Sequence, residues 1–504
     1  MCGTDDFGTP ILIKSEQEGK SPKEFVAYWN KRDEEDFRSL GISFDIFDQT
    51  SSKENVEFVQ QFFRALYRGG FIFERTVELP FCEHCNRFLP DRYVKGICPF
   101  CGAEEQYSDG CDRCGKILQP GEIREPHCAI CGTKPVTKSS EHYFFKLSAF
   151  SDQLREWFEK NDNLQDEVKN YVLRWIEGGL LDWDITRDIT WGVPIPLEEA
   201  GGKVLYGWFD NHLCYISTVL KYLASRKIDG ERFWNSAGIY HFIGKDIVYH
   251  HYLFLPAMRL GESNFKLPDL IPVRGHLLLQ GRKFSKSRDW YVSLREFLDN
   301  FPPDYLRYYF AAITPYSQAD INFDWKDFQA HINNELVATI GNFIYRTLRF
   351  TDTRFGGKIP EPHDFDSVDR KFEERIKAIA DEVGADIESN ELHRALKKII
   401  EFAAACNQYF QKKEPWKGSN DASNCIFLSV NAVYTLAIIL EPYLPFATEE
   451  LWKQLKLPGS VYEQKWTSAK ELRIKSGHRL SKPEILFKKI EDEEIEREVK
   501  KLKG

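Results

Sequence analysis

Between residues 82 and 131 the chain carries eight of its twelve cysteines, arranged as four Cys-x-x-Cys pairs: Cys82/Cys85, Cys98/Cys101, Cys111/Cys114 and Cys128/Cys131. No other feature restricts the fold as much. A Cys-x-x-Cys turn aims two thiolates at one point, and two such turns complete the tetrahedron that zinc prefers. Gly or Pro follows several of these cysteines (Cys98-Pro99, Cys101-Gly102, Cys114-Gly115, Cys131-Gly132), which permits a tight knuckle. The spacing therefore predicts two zinc sites. The competing reading is a disulfide cluster, which needs an oxidising compartment. The opening Met1-Cys2-Gly3-Thr4-Asp5-Asp6 shows no basic stretch followed by an apolar core, so a secretory signal is not expected. Spacing leaves the pairing open, since sequential and nested arrangements both close reasonable loops. Cys2, Cys214, Cys406 and Cys425 are scattered and read as small core residues.

A metal-stabilised segment of this size interrupts something larger. At 504 residues the chain exceeds one ordinary domain. Its 42% hydrophobic and 29% charged residues give the balance of a folded chain with sizeable cores, which excludes disorder as the main state. The best candidate for a membrane span, Val430 to Leu444, is interrupted by Asn431, Thr435 and Glu441, so no span is expected. With 68 basic against 77 acidic residues the net charge is −9, and any nucleic-acid site has to be a local basic surface.

Residues 1 to about 75 alternate apolar runs with helical patterns. Pro10-Ile11-Leu12-Ile13 follows a turn, a helix is predicted over Pro22 to Asp33 starting at Ser21, and an amphipathic helix over Phe58 to Tyr67 ends at Gly69-Gly70. From 141 to about 270, Tyr143-Phe144-Phe145 reads as a strand, Leu154 to Phe158 as a helix, and Gly238 to Ile243 as a buried strand. This alternation predicts a mostly parallel sheet. Beyond Trp325 the pattern is helical from Asn333 to Leu455, with a break at Gly356 to Phe365, and Ile485 to Lys503 reads as a terminal helix. The predicted class is α/β: a Rossmann-like doubly wound domain in two parts (1–75 and 141–270), a zinc-knuckle insertion (76–140), a loop region (271–330), an all-α bundle (331–460) and a tail (461–504).

One short basic motif has chemistry of its own. Lys283-Phe284-Ser285-Lys286-Ser287 follows Gly281 and the apolar strand Pro272 to Leu279. Two lysines three apart, flanked by hydroxyls, can clamp a triphosphate and stabilise charge developing at the phosphoryl centre. In isolation such a stretch is more often a solvated basic loop. A phosphate-handling loop at the carboxyl end of a strand, however, is where α/β sheets place ligands.

Lys283 to Ser287 resembles the Lys-Met-Ser-Lys-Ser signature of class I aminoacyl-tRNA synthetases, and the chain as a whole resembles the methionyl-tRNA synthetase family, archaeal type. The segments that carry the likeness run in order: Cys2 to Pro10, the four knuckles, Trp183-Asp184-Ile185-Thr186-Arg187-Asp188, Trp208-Phe209-Asp210, His241 to Ile247, the lysine loop, Gly341-Asn342-Phe343 and Glu414-Pro415-Trp416. The resemblance implies a cytoplasmic ligase that joins methionine to ATP (with Mg2+) and passes the methionyl group to tRNA(Met). It implies that Lys283, Ser285, Lys286 and Ser287 hold ATP, with Lys283 and Lys286 stabilising the triphosphate, and that Arg187 and Asp246 support activation. An ion pair of Arg187 with Asp184 or Asp188, and helix capping by Asp246, are the plainer alternatives. Asp5 matches the position that receives the methionine ammonium group, and Trp208, Tyr215, Ile247 and His251 match the side-chain pocket. Asn342, Arg346 and Trp416 match positions that read anticodon bases. The knuckle match favours nested zinc: Cys98, Cys101, Cys111 and Cys114 on one structural ion, Cys82, Cys85, Cys128 and Cys131 on the other.

The chain also departs from the family pattern. Nothing in it matches the His-x-Gly-His motif of class I synthetases, and Cys2 to Asp5 aligns with the second strand of the nucleotide fold, so the first βα unit is missing. A start codon assigned too late is the expected cause, ahead of a split enzyme completed by a separate chain or a decayed gene. Phe7 replaces a usual His, Asn211-His212 an Ala-Pro, Leu255 a Trp, and Phe284 a Met. Asn211 and His212 put polar groups beside a pocket meant for an apolar side chain. A non-catalytic tRNA-binding paralogue and a ligase for another amino acid are the two alternatives, which amino-acid-dependent exchange separates from the first reading.

Overall fold

The computed structural model describes residues 1–504 except 109, 110, 112, 115–117, 119–121, 286–288, 419, 420, 503 and 504. It divides into two compact units, one formed by Met1–Glu35 with Ser43–Pro272, the other by Asp36–Ile42 with Val273–Gly504.

In the first unit the strand Cys2–Thr4 pairs in parallel with Phe47–Gln49. Gly3 is required there, because a Cβ on it would lie 2.5 Å from the carbonyl oxygen of Asp48. The apolar run Pro10 to Ile13 forms the first turn of a helix, Thr9–Gln17, where proline costs no hydrogen bond. The next helix, Pro22–Ser39, starts at Ser21 as expected: Ser21 and Glu24 exchange side chain-to-backbone hydrogen bonds of 3.1 and 3.3 Å. It continues past Asp33, since no Gly or Pro intervenes before Gly41. Helix Lys53–Arg68 is capped by Ser52, buries Val59, Phe62, Phe63 and Leu66, and stops at Gly69, with Gly70 at φ +74.

A long antiparallel ladder then leaves the domain: Ile72–Cys82 pairs with Val136–Phe145 from Ile72↔Phe145 to Phe81↔Val136. This is the stem of the cysteine insertion. Beyond it, Val94–Ile97 pairs with Gln106–Tyr107 and with Arg124–Cys128, both antiparallel. Leu154 and Phe158 are buried on helix Ser151–Lys160. Helices Gly207–Ser225 and Leu255–Glu262 both pack on Lys53–Arg68.

The expected buried strand over Gly238 to Ile243 is not continuous. Only Ile243–Gly244 is strand, preceded by a parallel bridge between Tyr240 and Leu270. Ile239, His241 and Ile243 face inward, whereas Tyr240 and Phe242 are 60% and 69% exposed. The period is that of a strand buried on one face, which an unbroken apolar run conceals.

In the second unit Leu277–Leu279 pairs in parallel with Ile321–Phe323 and in antiparallel with Arg282–Lys283. Helices Asn342–Phe355, Ser367–Glu388, Leu392–Lys413 and Asp421–Ile439 follow. Asp421–Ile439 is long and apolar enough to span a bilayer, but it is the core helix, buried at every residue from Asn424 to Ile439. Its polar residues are used inside: Asn431 donates to the carbonyl of Ile474 (3.0 Å), and Thr435 to that of Ala469 (2.8 Å). The terminal helix is shorter than expected, Asp492–Lys501, and the residues from Ile485 to Glu491 form neither helix nor strand. Phe487 and Ile490 are buried and Ile485 is exposed, and the Glu491/Glu494 capping box sets the helix start.

Candidate active site

Four residues of helix Gly207–Ser225 face one another at i, i+3, i+4 and i+7: Trp208, Asn211, His212 and Tyr215. Against them lie His250 and His251, from the segment His250–Phe254 that leads into helix Leu255–Glu262. Trp208 stacks on His250 with ring centroids 3.9 Å apart and planes 2° from parallel. The Tyr215 hydroxyl is 3.0 Å from His251 Nε2, and His251 Nδ1 is 3.1 Å from the carbonyl of Ile247. A carbonyl only accepts, so Nδ1 carries the proton and Nε2 accepts from Tyr215.

At the edge of this aromatic group stands Asp5, which accepts a hydrogen bond from Asn211 Nδ2 at 3.3 Å. Asp5 is exposed, yet the protein crowding it desolvates the carboxyl and raises its pKa to about 6, the Asn211 bond notwithstanding. The charged form of this carboxyl is disfavoured where it stands. Such a group is eased by a cation. Asp210 nearby is fully buried, and desolvation together with Asp5 pushes its carboxyl well above the usual range. Asp246 is exposed in the turn Lys245–Ile247, while Phe7 is buried beside Trp191, their ring centroids 5.2 Å apart. Leu255 is buried completely.

Arg187 lies in a short strand, Thr186–Arg187. Its guanidinium stacks 3.7 Å over the ring of Tyr206, and Nη1 donates to the carbonyl of Thr186 at 2.7 Å. Asp184 is 4.0 Å away, so their ion pair is long. The carboxylates on either side of Arg187 are held instead by a residue that sequence reasoning missed. His142, 2% exposed, places Nδ1 at 2.7 Å from Asp184 and Nε2 at 2.8 Å from Asp188. Desolvation opposes its charge, but the two carboxylates outweigh that and raise its pKa. Lys203, 3.5 Å from Asp188, completes the group. The one available signal was a histidine inside the apolar strand pattern ending in Tyr143-Phe144-Phe145.

In the second unit the lysine motif begins as a tight hairpin. Leu279 pairs with Arg282 across Gln280-Gly281, both at positive φ (51 and 76), a two-residue turn that calls for glycine. Lys283 is exposed, and Ser285 and Trp290 exchange backbone hydrogen bonds of 2.9 Å. Lys286 and Ser287 lie outside the described residues. Elsewhere in this unit Asn342 is exposed at the start of helix Asn342–Phe355. Arg346, one turn on, stacks 4.3 Å over Phe410, whose ring centroid is 6.5 Å from that of Trp416. Trp416 sits on the 3-10 turn Pro415–Lys417 and is 41% exposed. An exposed amide, a guanidinium and an open indole make a surface suited to unstacked bases.

The eight knuckle cysteines gather in the nested arrangement, with Cys82, Cys85, Cys128 and Cys131 in one group and Cys98, Cys101, Cys111 and Cys114 in the other. Sulfurs about 2.3 Å from one ion at tetrahedral angles would be about 3.8 Å apart. The Sγ separations are 3.4 Å (Cys82–Cys131), 3.9 Å (Cys85–Cys128), 3.8 Å (Cys98–Cys114) and 3.6 Å (Cys101–Cys111). Both groups can hold a metal ion, and four protein ligands would leave no open position. Cys214, Cys406 and Cys425 are buried as expected, and Cys2 is partly exposed.

The family model described as tRNA synthetases class I (M) matches residues 1–348, and the anticodon binding domain of methionyl tRNA ligase matches 359–504. These matches make the chain a class I tRNA synthetase. A methionine–tRNA ligase of Methanobrevibacter smithii is 42% identical over 506 residues, covering 100% of this chain and 76% of its own length. That of Pyrococcus furiosus is 39% identical, covering 98% and 70%. The Mycobacterium tuberculosis methionyl-tRNA synthetase bound by methionyl-adenylate shares the fold, with TM-score 0.78 and 22% identity over 96% of this chain and 91% of that one. The chain belongs to the methionine–tRNA ligase family.

Proposed function

We propose that the chain activates methionine with ATP and transfers the methionyl group to the terminal ribose of tRNA(Met). The observation that carries this reading is the 42% identity over the whole chain with a methionine–tRNA ligase. In the first step the methionine carboxylate attacks the α-phosphorus, a P–O bond forms, and pyrophosphate leaves with its bonding electrons. The protein contributes positioning and charge rather than covalent chemistry.

Asp5 receives the ammonium group, whose charge the desolvated carboxyl would otherwise lack. Trp208, Tyr215, Ile247 and His251 receive the side chain, where apolar burial and sulfur–aromatic contact favour a thioether. Arg187, stacked on Tyr206 and flanked by the His142 carboxylates, supplies a cation of fixed direction, and Asp246 belongs to the same polar set. Lys283, Ser285, Lys286 and Ser287 hold the triphosphate together with Mg2+, which would neutralise phosphate charge. Asn342, Arg346 and Trp416 receive anticodon bases. Zinc is the metal proposed for both four-cysteine groups, where it would cross-link the knuckles. The setting proposed is the cytoplasm, where free thiolates persist.

The test is methionine-dependent exchange of pyrophosphate into ATP, followed by charging of tRNA(Met). Exchange with methionine supports the reading. Exchange with a different amino acid alone, or tRNA binding without any exchange, rejects it.

A further inference from the structure

His212 is the one histidine among the described residues with both ring nitrogens enclosed and without a partner. It is fully buried. Its neighbours are the residues of the aromatic group: ring centroids lie 4.9 Å away at His251 and 5.8 Å away at both Trp208 and His250. Desolvation and the surrounding histidines depress its pKa well below the usual value, so the ring is neutral and carries one N–H donor and one bare acceptor.

Of the adjacent rings, His250 has an enclosed Nδ1 that likewise lacks a partner, whereas His251 and His241 are already engaged. His251 donates to the Ile247 carbonyl and accepts from Tyr215. His241 Nε2 accepts from Arg259 Nη2 at 3.3 Å. Neither can satisfy His212, and a buried donor left unmet is costly until something accepts from it. The chemistry proposed for this aromatic group that brings a new atom there is the amino-acid side chain.

We infer that His212 is a specificity-determining residue: its ring N–H donates to the sulfur of the bound amino acid's side chain, so the site favours a linear side chain with an acceptor at that atom over its hydrocarbon isostere. The inference rests on the reading of this aromatic group as the methionine site. It assigns a purpose to the polar pair Asn211-His212, of which Asn211 orients Asp5 toward the ammonium end while His212 addresses the other end. A thioether is a weak acceptor, so the preference is modest, about fivefold over a methylene, the size of one ordinary hydrogen bond.

Calorimetric titration of the full chain with L-methionine and with L-norleucine tests this without requiring turnover. Wild type is expected to bind methionine about fivefold more tightly. His212→Leu should bring the two affinities to parity, mainly by gaining norleucine, and His212→Gln, which keeps an N–H donor, should restore part of the preference. Zinc content and melting temperature of each variant establish that it is folded. Equal affinities in wild type, or a preference that survives in His212→Leu, overturn the inference and leave the methionine site standing. Binding of neither ligand removes the site reading itself, and the inference with it.

Discussion

At the scale of single residues, the charges beside Arg187 are held by a partner far away in sequence. His142 is clamped between Asp184 and Asp188, and the pKa shifts have opposite signs: His142 is raised and Asp188, through His142, Ser140 and Lys203, is lowered. A raised histidine contributes stability that is complete below its ordinary value of 6.5 and is lost as pH rises through the folded value. A lowered aspartate contributes stability present above its ordinary value and lost in acid. The stability deficit of His142→Gln against wild type should therefore be largest near pH 6 and shrink toward pH 9, as read by melting temperature across that range. A deficit independent of pH would show that His142 acts only by packing. The catalytic assignment is tested separately by Lys286→Ala, which should slow adenylation about a hundredfold or more with zinc content unchanged, and an unchanged rate of exchange removes Lys286 from that role.

At the scale of elements, two structures stand on concentrated polar chemistry. Among the described residues, the buried apolar cluster at the tip of the cysteine insertion is Cys98, Ala103 and Cys111, too little to hold a fold without a cross-link. Two zinc ions per chain are expected by elemental analysis, and Cys111→Ser should leave one, with protease sensitivity rising between the remaining knuckles of that group. Loss of both ions would mean the groups are not independent. Among the helices, Lys413 is 7% exposed and lies 3.0 Å from Asp369 and from Asp366, and 3.1 Å from Asp421. Asp369 is completely buried and also accepts from the Tyr409 hydroxyl and Asn424. Lys413→Met would leave that carboxylate without its cation, at a cost of about 3–5 kcal/mol, measurable as a shift in the urea midpoint. A change below about 0.5 kcal/mol, ordinary for a surface position, would show that the network is solvated.

At the scale of the whole molecule, the parts readable in the sequence are those set by local geometry. A Cys-x-x-Cys turn converges two sulfurs whatever surrounds it, Ser21 starts a helix, and Gly69-Gly70 ends one, each within a few residues. Segment order and the lysine signature were legible for the same reason, and they carried the family. What the sequence left open was every choice between distant partners. Nested rather than sequential cysteine groups depend on the ladder between Ile72–Cys82 and Val136–Phe145, and on Val94–Ile97 meeting Arg124–Cys128. The halves of the Gly238 to Ile243 stretch that face in or out depend on what covers one side. His142 finds carboxylates 42 and 46 residues on, and His250 closes on Trp208 across another 42 positions. Hydrogen bonds and ring contacts of that range are fixed only when packing brings the elements together, so local pattern determined which chemistry this chain carries, and tertiary structure decided which groups share it.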